Sequence, residues 1–458
     1  MAARRRRQVA RTHVSSVRLR NFRCYRDSGD IPFRPLTIIL GPNNVGKSTI
    51  INSILLLKQT VDVDAPRETV ITSGPLVDLG GFADIIHRGA PRNERFFSIE
   101  MVASHLGPTL FTGFVERDKA KSKDGGTVGL SETFGYSKAA NQILTREIEY
   151  RRDGKPELRF KSHGARVVLL RPDGSERNDV DVALFGSLPI VHVMPSKRRG
   201  ADEATSRELA ELTNNAVAHG WGWIEYFRSL TYLAPLRTPI PRYAMPGVTS
   251  PGTPGTNPAE LLQELKSRRK VGPDGEALIA VVEHWAEKHL EILRGLKMKL
   301  VDRAGTVFVL LGDERNGFRG INIASMGEGV SQLLPILGSL LGSRRGGCTL
   351  IEQPELHLHP DLQARLADLF IDQVVHRDKQ VILETHSEHV LLRVRRRVAE
   401  GLDPDSVSIL YVDRPGKESR VRRLPIESDG SMPDWPDGFF EEGLTESFKI
   451  ATARKAEG

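Results

Sequence analysis

The chain has 458 residues, 39% hydrophobic and 27% charged, enough for a real core and for two to three domains of about 150 residues each. No apolar run reaches the ~18 residues of a membrane helix, and the basic start MAARRRRQVARTH lacks the apolar stretch of a secretory signal, so membrane and exported classes are set aside. Net charge is +7, and Cys24 and Cys348 are the only cysteines, too few for a disulfide framework or a thiolate metal site; a cytoplasmic protein is expected.

Residues 14–40 read as strands, VSSVRLRNF and LTIIL, separated by a polar turn at Asp27–Asp30. GPNNVGKST follows, then the apolar helix IINSILLLK. Residues 96–195 are turn-rich with short alternating runs. A helical pattern over 206–233 ends in the strand-like LTYLAPL, and 245–258 is a Pro/Gly loop before further helical patterns to about 295. The strand pattern returns at KMKLVDRAG and TVFVLL. The helix VSQLLPILGSLL, the strand TLI, a helix from Asp361, the strand QVILET and the helix SEHVLLRVRRRVAE complete the order. There is no internal repeat and no sustained heptad.

Arginine is unevenly spread. The first 26 residues hold nine Arg, Arg4, Arg5, Arg6 and Arg7 among them, and no Asp or Glu; Arg393, Arg395, Arg396 and Arg397 form a second cluster. Such clusters neutralise phosphates in salt-sensitive nucleic-acid binding, and they equally make solvated tails and helix faces. Both readings stay open.

Gly41, Gly46, Lys47 and Ser48 fit G-x-x-x-x-G-K-[ST] in the required setting, after an apolar strand and before a helix. Glycine lets the backbone wrap phosphates, and the amides of the helix N-terminus point at them. Lys47 is expected on the β- and γ-phosphates and the Ser48 hydroxyl on Mg²⁺. Asn43, Asn44 and Thr49 complete the expected contact set. SMGEGVSQLLPIL at 325–337 puts small residues at a second helix N-terminus.

This phosphate loop is followed by the distant SMGEG cap, by TLIEQPELHLHP at 349–360 and by VILETHSEHV at 381–390. The order resembles the ABC-type ATPase heads of the SMC and RecF class, and more closely the AAA-type ATPases near the OLD (overcoming lysogenization defect) group. WPDGFFEE at 435–442 resembles the W-P-x-G-F-F line of a C-terminal domain of unknown function in one branch. LTYLAPLRTPIPR resembles that branch's Y-L-G-P-L-R line, with Ala234 where Gly is usual. The resemblance covers about residues 1–100 and 230–445; residues 100–230 match no recognised pattern.

The resemblance implies an α/β fold, a P-loop ABC-type head split by an inserted α+β arm. Its ranges would be 1–100 for the N-terminal lobe, 101–296 for the arm, 297–415 for the C-terminal lobe and 416–458 for an extension. It implies that Ser325, Gly327, Glu328 and Gly329 are a signature reaching the γ-phosphate on a second subunit. Glu352 would be the Mg²⁺-side acid and His386 the γ-phosphate sensor. The family's Q-loop glutamine has no clear counterpart, since Gln59 follows Lys47 too closely. A homodimer around two ATP is implied, with DNA or a partner nuclease as what it controls, in repair or phage defence. No Toprim nuclease is expected here, because the stretch after His386 is short and lacks a D-x-D set. A transporter subunit is disfavoured by the long insert.

Gln353 stands where many such enzymes carry the water-activating glutamate. An amide is not basic enough to take a proton from water. Three readings remain: Glu355 is the base, His386 and substrate oxygens suffice for slow turnover, or the chain is an ATP-gated module that barely hydrolyses. His357, His359, His386, Glu352 and Glu355 could also form a transition-metal site. Trp435, Phe439 and Phe440 read as a segment pinning itself to the core, or as a partner dock.

Overall fold

The computed structural model describes residues 13–63, 70–91, 95–104, 126–163, 166–171, 173–177, 180–185, 190–195, 203–237, 240–243, 265, 276–301, 308–313, 319–436 and 439–440. Arg4 to Arg7 and the Pro/Gly loop at 245–258 lie outside the described residues.

A six-stranded sheet organises the head. Its order is β12 (Thr231–Leu233), β16 (Cys348–Glu352), β17 (Gln380–Glu384), β4 (Leu36–Leu40), β18 (Val407–Asp413) and β19 (Arg420–Leu424). The first five are mutually parallel and β19 returns antiparallel. β4, β16 and β17 are buried along their whole length, as the uninterrupted runs LTIIL, TLI and QVIL require of a sheet covered on both faces. Alternation then divides the two faces. Ile39, Leu350 and Ile382 enter one core; Ile38, Ile351 and Leu383 enter the other.

The first core is closed by a ten-stranded antiparallel sheet. Its order runs β11 (Ile190–Pro195), β10 (Val180–Phe185), β9 (Arg166–Leu170), β8 (Lys155–His163), β7 (Gln142–Arg152), β6 (Val128–Ser137), β5 (Phe96–Ala103), β1 (Val14–Phe22) and β2 (Tyr25–Asp27), with β3 (Ile31–Pro32) also on β1. Helices α1 (Lys47–Asp62) and α3 (Glu203–Ser229) share its core, and Lys58 Nζ donates to the Phe227 carbonyl at 2.9 Å. A one-turn helix, α2, spans Phe82–Ile85.

The arm therefore differs from a separate insertion at 101–296. That boundary falls inside β5, and β6 to β11 extend the sheet that β1 and β5 begin. Open edges recruit further strands, which is how a stretch with no recognisable motif becomes part of the head. The 415/416 boundary likewise cuts the β18–β19 hairpin.

The second core lies under α4 (Leu278–His284), α5 (Glu328–Gly342), α6 (Pro360–Arg377) and α7 (Glu388–Ala399). A π-helical turn at Trp285–His289 extends α4. A three-stranded sheet, β13 (Arg294–Leu300), β14 (Phe308–Asp313) and β15 (Ile321–Asn322), leads into α5. Trp435, Phe439 and Phe440 pack on this core. Trp435 Nε1 donates to the Phe439 carbonyl at 2.8 Å, and Phe439 meets the Tyr411 ring edge-on at 5.1 Å. Of the two readings of this segment, the geometry is that of a chain end pinned to its own core.

Candidate nucleotide site

The C-terminal ends of β16, β17 and β4 lie side by side, where parallel sheets bind ligands. Each strand ends in chemistry. β4 opens into the Gly41–Lys47 loop. Glu352 and Glu384 are register partners at the ends of β16 and β17, and Glu384 is also paired with Ile39 of β4.

Two glycines set the shape of the phosphate loop. Gly41 has φ +140, and a Cβ there would stand 2.1 Å from the Val412 carbonyl oxygen. Gly46, the residue before α1, has φ +107, and a Cβ there would stand 2.4 Å from Cys24 Sγ. Both positions exclude a side chain on conformation and on space. Asn44 also has a positive φ, 60°, which asparagine tolerates. Asn43 and Asn44 are exposed at the loop tip and Thr49 is buried, its Oγ1 taking a weak contact from Cys24 Sγ at 3.6 Å. Lys47 is 4% exposed and its Nζ donates to the Pro42 carbonyl at 2.6 Å, across the mouth of the loop. Burial lowers its pKa, and the charge of Glu384 opposes that.

Ser48 Oγ donates to Glu384 Oε1 at 3.1 Å. Glu384 Oε2 is buried and has no partner among the described residues. Glu352 Oε1 accepts from the Tyr232 hydroxyl at 2.7 Å. Burial pushes the Glu352 carboxyl up to about 7; the Tyr232 bond pulls it down and the neighbouring Glu384 pushes it further up. Glu355 Oε1 accepts from the His386 backbone N–H at 2.6 Å, and its Oε2 has no partner among the described residues. Burial raises the pKa of Glu355 and of Glu384 as well. His386 is half-buried; burial and the charge of Lys47 lower its pKa, so its neutral form is favoured. Gln353 sits at the turn with φ 44, its N–H donating to the Glu384 carbonyl at 2.8 Å. Lys47, Ser48, Glu352, Gln353, Glu355 and His386 thus meet at one place.

Glu384 is the residue that motif reading missed. Its signal was the one that singled out Glu352, a charged residue closing a buried apolar strand. Tyr232 and Arg237 were also missed as site residues. Both sit in the LTYLAPLR line, and Arg237 donates to the carbonyls of Glu352 and Gln353. Gln59 is occupied elsewhere: it bonds the backbone of Ile71, Leu76 and Val77 and holds that loop against α1.

The signature residues are set apart. Ser325 ends a single 3-10 turn, Gly327 precedes α5 with φ 46, and Ser325, Gly327 and Glu328 are exposed. Glu328 Oε2 lies 3.7 Å from His357 Nδ1, and a Cβ on Gly329 would come within 3.2 Å of the His357 carbonyl. His359 caps α6 through its own ring. The transition-metal reading is thereby corrected. His357 and His359 are turned to other partners, and among the described residues no group of three or more His, Cys, Asp or Glu is placed to hold a metal.

The second arginine cluster is also committed. Arg393 and Arg397 share Asp368, at 2.5 and 2.7 Å, Arg396 and Arg397 bond Glu400, and Arg395 Nε donates to the Gly430 carbonyl at 2.9 Å. Read as four free cations for phosphate, the cluster is corrected. The acids at 368 and 400 come from a neighbouring helix and from the end of α7, which the spacing of the arginines does not show.

Residues 13–100 match the family described as "AAA ATPase domain" and residues 203–393 the family "AAA domain, putative AbiEii toxin, Type IV TA system". Residues 402–449 match "Protein of unknown function (DUF3696)". The two AAA-type matches lie on either side of residues 101–202. No curated protein sequence matches it. Among solved structures it is similar to an SmcHead bound to the C-winged helix domain of ScpA (13% identity, 91% of this chain and 98% of that one, TM-score 0.45). It is also similar to an SMC head domain from Thermotoga maritima (12% identity, 90% and 99%, TM-score 0.41). No helix among the described residues is long and apolar enough to cross a membrane.

Proposed function

We propose that the chain binds ATP with Mg²⁺, hydrolyses it slowly, and dimerises head to tail around two nucleotides. The observation that carries this is the convergence of Lys47, Ser48, Glu352, Glu355, Glu384 and His386 beyond the phosphate loop. The buried, unpartnered Glu384 Oε2 beside the Ser48 hydroxyl fits a hard, oxygen-seeking cation. Ser48 and Glu384 would hold it, with Glu352 alongside; Mg²⁺ bound there offsets phosphate charge.

The chain's own groups divide the remaining work. Backbone N–H groups of Gly41–Lys47 and the Lys47 ammonium take the phosphates. Lys47 Nζ exchanges the Pro42 carbonyl for a phosphate oxygen. Glu355, raised by burial and with one oxygen free, takes a proton from water; Gln353 orients that water and has no basicity to accept it. Neutral His386 donates its one ring N–H to a γ-phosphate oxygen.

The exposed Ser325–Gly329 cap supports sharing between subunits. A two-fold pair would bring each cap to the partner's nucleotide and form both sites at once. The nucleotide state then governs engagement of a polyanion or partner protein, with the arginines at positions 4–11 as the nucleic-acid contact, since Arg18 and Arg20 already pair with Asp27.

Phosphate release and light scattering, with and without ATP and Mg²⁺, test this. Turnover accompanied by an ATP-dependent dimer is expected. An ATP-dependent dimer without turnover would establish the gated-module reading in its place. A fully active monomer overturns sharing.

A further inference from the structure

Arg237 stands between the acidic turn and the helix that carries the signature cap. Its side chain is 3% exposed. Nη2 donates to the carbonyls of Glu352 and Gln353, both at 3.1 Å, while the buried Nε and Nη1 have no partner among the described residues. The Arg237 carbonyl accepts from Gln332 Nε2 at 3.0 Å, and Ser331 Oγ accepts from the Ile240 N–H at 2.9 Å. Ser331 and Gln332 lie in the first two turns of α5, directly after the exposed cap. One residue thus grips the acidic turn with its guanidinium and α5 with its backbone.

We propose that Arg237 is a positioning residue that couples the seating of the Ser325–Gly329 cap on a partner's nucleotide to the placement of the Glu352–Glu355 turn. The proposal rests on the shared-site reading above and adds a route through one chain.

Three features support it. The turn needs holding, because Gln353 has a left-handed backbone that a side chain disfavours. Two consecutive carbonyls on one guanidinium nitrogen fix that turn without neutralising the charge, and no carboxylate forms an ion pair with Arg237 among the described residues. That uncompensated charge falls on Glu355, where it opposes the upward push of burial. The other groups facing Glu355 are Glu384 from β17 and Thr385 and His386 just beyond it; Lys47 from α1 faces Glu384 and His386 in turn. Nε and Nη1 remain as spare donors, so the guanidinium can take a further acceptor while Nη2 keeps both carbonyls.

The experiment uses the full chain with Arg237→Met, Arg237→Lys and Gln332→Ala, measuring ATP affinity, kcat, KM, the pH–rate profile and the melting temperature. The Met variant is expected to bind ATP like the parent and to lose roughly 10- to 100-fold in kcat, the scale of a small misplacement at a reacting centre. Its acidic limb should also move to higher pH, because Glu355 works deprotonated and loses the positive charge that keeps it so. Lysine should restore the limb and part of kcat. Gln332→Ala should lower kcat and leave the limb in place. A Met variant that melts like the parent and keeps both kcat and limb overturns the coupling. If Met does not fold, parental kcat in both other variants overturns it instead. A parent chain with no turnover at all defeats the shared-site ATPase reading itself, whereas an active parent with indifferent variants defeats only the coupling.

Discussion

The Ser48 hydroxyl donates to the Glu384 carboxylate at 3.1 Å, across 336 positions of sequence. It ties the first turn of α1 to the end of β17. Exchanging one partner is therefore expected to act on metal-dependent nucleotide binding before it acts on folding. Glu384→Gln should weaken ATP binding about tenfold or more in Mg²⁺ and little in its absence, since the neutral amide keeps the hydrogen bond and removes the charge. Titration calorimetry with and without Mg²⁺ checks this; equal losses in both would move Glu384 out of the cation site.

Glu355→Gln should keep ATP binding and lower turnover by ~10² to 10⁴, the range for a general base. Gln353→Ala should be milder. In the parent, the raised pKa of Glu355 places the acidic limb above the ordinary glutamate range, with activity rising as pH rises through it. Parental turnover in Glu355→Gln would leave slow, unassisted hydrolysis as the better account.

A mixture of Lys47→Ala chains and Gly327→Arg chains should regain part of the activity that each lacks alone. Such a pair retains one intact phosphate loop facing one intact cap. Gly327 has open space around its Cβ position, so the arginine blocks the docking face without crushing the fold, though φ 46 makes it mildly strained. Co-assembly shown by light scattering with no recovered phosphate release would count against sharing.

Glu132 lies in the first core at 1% exposure, its Oε1 without a partner among the described residues, and burial pushes its carboxyl up to about 8. A carboxyl whose folded pKa exceeds its unfolded one holds its proton longer in the native state. Stability therefore falls as pH rises from the unfolded value near 4.5 toward about 8, and the loss is complete above that. Glu132→Gln should match the parent near pH 5 and melt progressively higher than it up to pH 9. Parallel melting curves across that range would refute the assignment.

Any binding of nucleic acid should keep its salt dependence when Arg393 and Arg397 are changed to Gln, because both already serve Asp368. Deleting residues 2–11 should flatten the slope between about 50 and 200 mM salt. The opposite pattern would relocate the polyanion surface to α7.

The local chemistry of the head was legible because it is contiguous. The run LTIIL-GPNNVGKST states a buried strand, a glycine turn and a helix start within a single stretch, and the Gly41 and Gly46 dihedrals are what those glycines were there to allow. TLIEQ and VILETH state buried strands ending in charge in the same way. Arm boundaries were not legible, since alternating runs in 96–195 give strands without saying which edge they extend; only pairing of β6 to β5 decides that. Nor could spacing say which acid meets Ser48, whether the arginines of α7 are free, or that Arg237 spans the acidic turn and α5. Those relationships join residues far apart in the sequence, or rest on acids contributed by a neighbouring helix. They are set by strand order, with β17 lying between β16 and β4, and no property of one segment alone carries that order.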